Sequence, residues 1–208
     1  MTLLEYGSLA FSSLAVIVDP IAMVPTFIAM TPNDSPPQRL RMAKIACFVA
    51  AVVLMGFALA GNWVFRLLGI TLPAFQIAGS LILLRIALDM LYGQRSGASQ
   101  STEEVEVATR KEDIAISPLA VPMLAGPGAI STTLLLLNRA DDVPQRIVLF
   151  IAIATVCVLS YFVLWLGARG AQWLSPLAVK LVTRLSGLLL AAVAVQFAID
   201  GIMQIHWK

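Results

Sequence analysis

The chain has 208 residues, of which 59% are hydrophobic and 12% charged, with a formal net charge of +2 and a mean hydropathy of +0.88. A soluble globular domain carries about a quarter charged residues, so this composition excludes that class and marks an all-α, polytopic membrane protein. The few cations are scattered and form no basic patch, which argues against a nucleic-acid partner.

A span needs roughly 20 mostly apolar residues. Six stretches qualify: Leu3 to Met30, Ala43 to Phe65, Leu72 to Tyr92, Ile114 to Asn138, Ile147 to Ala168 and about Leu185 to Ile205. With short loops they use nearly the whole chain as one integral membrane domain, leaving no room for a soluble catalytic or DNA-binding domain. The N-terminus lacks the cationic start and small-residue cleavage site of a signal peptide, so the first run is read as a retained span. Pro20 should break it and free the carbonyls around Ala15 to Val18, and Pro25 should repeat the interruption. Asp19 stands beside that break. An ionisable side chain within a span is by default a cation or proton site, and its plain alternative is a carboxylate capping the helix that begins at Pro20.

Pro37-Gln38-Arg39 should start the second span, since proline suits the first turn of a helix. In the third span, Arg85 and Asp89 are four apart on one face, where a mutual ion pair or a snorkelling anchor explains them. Gln76, like Asn62 and Arg184, lies close to a span end, where interfacial solvation suffices. Residues 93–113 are polar and acidic, with Glu103, Glu104, Glu106, Glu112 and Asp113, and read as a solvated inner linker.

Gly126-Pro127-Gly128 falls at the middle of the fourth span, where two glycines permit a turn and proline interrupts the hydrogen-bond ladder. The half-helix that follows would present free N–H groups and a positive dipole near Ala129 to Thr132, suited to a substrate carboxylate. Ser131, Thr132 and Thr133 add hydroxyls, unless these bond back to their own helix. Pro144-Gln145-Arg146 should start the fifth span. In the sixth, Gln196 and Asp200 repeat the four-residue spacing without a neighbouring cation. His206, the single histidine, lies near the terminus. Cys47 and Cys157 fall inside spans with no metal-ligand spacing, and no nucleophile with a base is visible, so neither a metal centre nor an enzyme is expected.

Residues 20 to 39 recur at a distance of 107 positions, with Pro20, Ala22, Thr26, Asp34, Pro37, Gln38 and Arg39 matching Pro127, Ala129, Thr133, Asp141, Pro144, Gln145 and Arg146. Chance would give about one or two identities at this composition. Further on, Gly79 matches Gly187 and Leu81 matches Leu189, so the repeat covers three helices: about residues 3–92 and 114–205. Three spans per copy make the repeat inverted. The lysines and arginines satisfy the positive-inside bias if both termini face outward. Paired breaks in inverted copies are the signature of a transporter that binds its substrate near the bilayer midplane.

At Asp19-Pro20-Ile21-Ala22-Met23-Val24-Pro25, at Ala74-Phe75-Gln76-Ile77-Ala78-Gly79, and at Pro118 to Ile130 with its Leu-Ala-Gly-Pro-Gly-Ala-Ile segment, the chain resembles the MarC family of bacterial inner-membrane proteins. Arg184-Leu185-Ser186-Gly187-Leu188 and Ala194-Val195-Gln196 extend the likeness into the last span. The resemblance implies six spans in the bacterial inner membrane and a place near amino-acid exporters. The chain departs from the family at Ala22-Met23, where Gly-Asn is usual, at Gln76, where arginine is common, and at Ser80, where a second glycine is common.

The reading that follows is a transporter of small neutral amino acids or similar polar metabolites, working by alternating access with Na+ or H+ as coupling ion and no other cofactor. Asp19, Pro20, Gly126, Pro127, Gly128, Ser131 and Thr132 are its candidate site or ion pathway, and Arg85, Asp89, Gln196 and Asp200 are secondary candidates. Its partners are membrane lipids and the substrate, with a homo-oligomer left open. The alternatives are a non-transporting scaffold or assembly factor and, from another class, a membrane-embedded enzyme.

Overall fold

Several helix boundaries among the described residues are written in a few polar or conformationally special residues set among long apolar runs. A computed structural model describes residues 1–31, 34–92, 115–170 and 176–205. The described chain is helical and contains no strand: α1 (Leu3–Val18), α2 (Pro20–Met30), α3 (Pro36–Leu68), α4 (Leu72–Tyr92), α5 (Ala115–Leu124), α6 (Pro127–Arg139), α7 (Val143–Gly170) and α8 (Pro176–Met203). Among the described residues, five stretches are long and apolar enough to cross a membrane: Leu3–Met30, Pro36–Gly61, Leu72–Tyr92, Val143–Gly170 and Lys180–Met203. Residues 93–113, read above as an acidic inner linker, and His206 lie outside the described residues.

Thr2 starts α1 with a reciprocal cap, its hydroxyl accepting from the Glu5 N–H and its own N–H donating to the Glu5 carboxylate. The helix ends at Asp19, the one non-glycine residue with positive φ among those described. Asp19 has φ 40° and ψ 70°, a left-handed conformation that aspartate tolerates better than most side chains. Its N–H bonds to the Ala15 carbonyl, so that carbonyl is not freed by the break as the sequence suggested. Pro25 also departs from expectation, because α2 runs through it to Met30; one missing donor inside a packed helix is tolerated where the flanking turns are held.

The two Pro-Gln-Arg segments sit at helix starts, as their prolines required. Gln38 folds back to accept from the Ser35 N–H at 3.0 Å, and Gln145 does the same for Asp141 at 2.9 Å. The arginines that follow behave differently. Arg39 is buried and donates from Nε and Nη2 to the Thr31 carbonyl, capping the C-terminal end of α2, whereas Arg146 is exposed.

α5 is π-wound, with the Ala125 N–H reaching back five residues to the Ala120 carbonyl. Its prolines at 118 and 122 cannot donate to an α ladder, which favours the wider turn. The break that follows is made by Gly126 in extended backbone, φ −71° and ψ 172°, and by Pro127. Neither Gly126 nor Gly128 has positive φ, so the glycines do not serve the turn as expected. Gly128 is needed for close approach instead: a Cβ there would stand 3.0 Å from Phe197 Cζ and 3.2 Å from Ile17 Cγ1. α8 likewise begins before the anticipated Leu185, at Pro176, since Lys180 and Arg184 can extend from a helix without ending it.

Glycines also report how the helices lie. Gly7 of α1 faces Val148, near the start of α7, and Gly167, near its end, faces Val24 of α2, so α1 and α2 run parallel to α7. α3 packs against α5 and α6, and α4 packs antiparallel against α8, Gly187 lying on Ala87 and Met90, and Gly201 on Pro73 and Ile77. One face of the bundle therefore gathers the N-terminus, the α3–α4 turn, the end of α6 and the start of α7. Gln145 Nε2 donates to the Met1 carbonyl there. At the opposite end of α7, Phe162 stacks on Trp165 and the Arg169 guanidinium lies 4.0 Å over the same indole, a grouping suited to a membrane–water boundary.

Tyr6 closes the N-terminal face. It is fully buried, and its hydroxyl donates at 2.9 Å to the Leu136 carbonyl in the last turn of α6, where an intrahelical partner is lacking. Tyr6→Phe should lower stability by about 1–2 kcal/mol, the cost of orphaning one buried acceptor, read as a drop in the melting temperature of the detergent-purified protein.

Candidate functional site

The packing of α4 positions the site. Gln76, Gly79, Ser80, Leu83, Ala87 and Met90 are buried along one side of that helix at three- and four-residue intervals. Gly79 lets the helix press on the α5–α6 break, since a Cβ there would collide with Pro127 Cγ. One turn earlier, Gln76 Nε2 donates to Ser131 Oγ at 3.0 Å, and Ser131 Oγ donates its proton to the Pro127 carbonyl at 2.6 Å. Because the Ser131 proton is committed to Pro127, its oxygen can only accept from Gln76, which sets the amide with Nε2 toward Ser131 in this conformation. Gln76 is 6% exposed, and its Oε1 is buried without a hydrogen-bond partner among the described residues.

Beside this pair a cavity of about 760 Å³ opens at the N-terminal face. Its mouth is formed by Arg66, by Gly69 to Leu72 of the α3–α4 turn, and by Asn138 and Gln204; its deeper wall holds Ile17, Gln76, Gly128, Ser131, Thr132 and Asp200. Gly128 belongs to the first turn of α6, whose N-cap is Gly126, a residue with no side chain to satisfy the leading N–H groups. The positive end of the α6 dipole thus stands at the cavity's inner end.

The hydroxyls divide by role. Ser131 and Thr133 bond back to their own helix, at Pro127 and Ala129, whereas the Thr132 hydroxyl lines the cavity with no hydrogen bond to a described residue. On the facing wall Gln196 Nε2 donates to Asp200 Oδ1 at 2.7 Å, the contact their four-residue spacing allows. Gly201 brings α8 close enough for its Cα side to meet Gln76, whose Cβ would lie 3.5 Å from a Cβ added at Gly201. Asp200 and Gln76 therefore stand on neighbouring positions of the same wall.

Of the candidates drawn from sequence, Gly128, Ser131, Thr132 and Asp200 line this cavity, with Gln196 bonded to Asp200 and Gly126 and Pro127 buried behind it. Pro20 is buried in another break. Asp19 is exposed and accepts from the Ala22 N–H at 3.1 Å as the N-cap of α2; it does not line the cavity. Arg85 is exposed and Asp89 partly buried on a stretch of α4 remote from the cavity mouth. Gln76, for which interfacial solvation was the expectation, is instead buried against Ser131. The signal that points to it is its register with Gly79 and Leu83, which puts it on the packed side of α4. Among the described residues no three acidic, histidine or cysteine side chains gather as a metal site.

The whole chain from residue 4 to residue 206 matches the family model described as MarC family integral membrane protein. The chain belongs to the MarC family. It is 37% identical over 199 residues to a UPF0056 membrane protein of Methanocaldococcus jannaschii, covering 96% of this chain and 97% of the relative. A UPF0056 membrane protein of Aquifex aeolicus is 36% identical over 202 residues, at 95% and 94% coverage, and YhcE of Escherichia coli is 31% identical over 198 residues, at 92% and 89%. These MarC relatives are named as membrane proteins without a stated activity, and they span archaea as well as bacteria. No solved structure matches the chain. It is an integral, multi-pass membrane protein.

Proposed function

We propose that this MarC protein is an inner-membrane transporter of small neutral amino acids or similar polar metabolites, built from two inverted three-helix repeats and six spans, with both termini outside. The observation that carries the reading is the cavity that descends from the N-terminal face to the broken α5–α6 segment, where an uncapped helix start meets a hydroxyl, an amide and a carboxylate. Non-helical backbone at membrane depth is tolerated where it lines such a cavity. The packing supports the repeat: α1–α2 on α7 and α5–α6 on α3 are one contact exchanged between halves, and α4 on α8 is its own counterpart.

In this mechanism the α6 N-terminus and the Thr132 hydroxyl take the substrate carboxylate, and rocking of one half against the other exposes the cavity to each side in turn. Uptake by purified protein in proteoliposomes tests it. Alanine or glycine should accumulate under a sodium or proton gradient, and no accumulation with either gradient, in protein that melts cooperatively, would sink the amino-acid reading.

Asp19 is the candidate for the coupling cation, and Asp19→Asn separates that role from capping. Asparagine keeps both the cap on Ala22 and the left-handed backbone, so folding should persist. A coupled carrier should lose gradient-driven accumulation at least tenfold, a carrier in which Asp19 only caps α2 should keep it, and a scaffold, which accumulates nothing, should keep its cellular phenotype.

A further inference from the structure

Two residues of the cavity lining, Asp200 and Gln76, carry oxygen acceptors without a cationic partner among the described residues. Asp200 is partly buried on α8, one of its oxygens accepts from Gln196, and no lysine or arginine nitrogen lies within 4.0 Å of its carboxylate among the described residues. Gln76 donates its amide nitrogen to Ser131, which leaves Oε1 without a donor in a nine-tenths buried side chain. The contact between Gly201 and Gln76 brings these acceptors onto adjoining turns of α8 and α4. A buried acceptor without a donor is unfavourable until one arrives, and a carboxylate lining the same cavity favours a donor that carries positive charge.

We infer that Asp200 and Gln76 together form a recognition point for a small primary ammonium group, and that this point decides which ligands the cavity accepts. This deepens the transport reading, on which it rests, by naming the group that Asp200 and Gln76 select. An ammonium offers three N–H donors from one compact charge, enough for a carboxylate oxygen and an amide oxygen at once. Gln76 Oε1 is shielded in the present conformation, so engaging it requires the amide to turn toward the cavity, with Ser131 keeping its bond to Pro127. A metal cation is a poorer fit, since one carboxylate and one amide supply too few hard ligands.

Thermal stabilisation of the purified, full-length protein by alanine, alaninamide, ethylamine and propionate tests the inference, because ligands that bind the folded state raise its melting temperature. Wild type should be stabilised by the three amines and not by propionate. Asp200→Asn and Gln76→Leu should each weaken alanine binding about ten- to a hundredfold, the usual cost of a lost hydrogen bond to a charged group, while their ligand-free melting stays cooperative. Stabilisation by the simple amines but not alanine would keep the ammonium point and overturn the amino-acid reading. Equal alanine stabilisation of wild type, Asp200→Asn and Gln76→Leu would overturn the ammonium point alone, and no stabilisation of wild type by any amine would overturn both. Should Gln76→Leu fail to fold, Gln76→Met preserves the volume, and Asp200→Asn carries the test unaided.

Discussion

Gly79→Ala is expected to destabilise the protein by about 1–3 kcal/mol, although alanine is the better helix former. The added methyl would collide with Cγ of Pro127 and sit 3.1 Å from its Cδ, and a proline ring at the start of a helix can retreat only by a change of pucker, its φ being fixed. Either α4 moves away from α6, which also pulls Gln76 from Ser131, or the α5–α6 break moves. Gly56→Ala supplies the control, since nothing lies within 4 Å of the position its Cβ would take and the melting temperature should hold or rise slightly. Equal melting temperatures for the two variants would mean that α4 does not grip the break at Gly79.

Arg39→Met should cost about 1.5–3 kcal/mol, because it strips the Thr31 carbonyl of two charge-assisted donors, at 3.0 and 2.7 Å, while keeping most of the apolar volume. Arg39→Lys should recover only part of this, since an ammonium cannot reproduce the forked geometry. Arg146, the matching residue 107 positions on, is exposed, so Arg146→Met should change stability by no more than about 0.5 kcal/mol. Denaturation of the three variants in the same detergent checks the ranking. A loss at Arg146 as large as that at Arg39 would contradict it.

The Arg39 and Arg146 contrast shows what was legible in the sequence and what was not. The matched Pro-Gln-Arg segments announced two helix starts, and the chain obliged, because proline at the first turn and a glutamine folding back are local effects that need no tertiary context. α4 was also legible from end to end, its apolar run from Leu72 to Tyr92 coinciding with the helix. Burial of Arg39 was not, because it depends on where the end of α2 lies relative to α3. The same limit explains Gly126 and Gly128, which look like turn residues in one dimension and prove to be extended backbone and a close-packed contact in three.

The candidate cavity divides along the same line. Gly128, Ser131 and Thr132 were visible because a break in an apolar run is a local signal, and Asp200 because a carboxylate in such a run stands out. Gln76 was hidden, since a glutamine near a span end has an ordinary interfacial reading until Gly201 and Ser131 are seen to enclose it. Asp19 stands out for the same reason as Asp200, and its geometry is that of a cap outside the cavity lining.

The central claim, that the cavity at α4, α6 and α8 is a substrate site reached from both sides of the membrane, is tested most directly by thiol labelling at Thr132. In Thr132→Cys, with the buried Cys47 and Cys157 replaced by alanine, a membrane-impermeant maleimide should label the protein from the outside of intact cells and from the inside in inverted vesicles, and alanine should slow both reactions. Labelling from one side alone, or at a rate indifferent to alanine, would contradict the account.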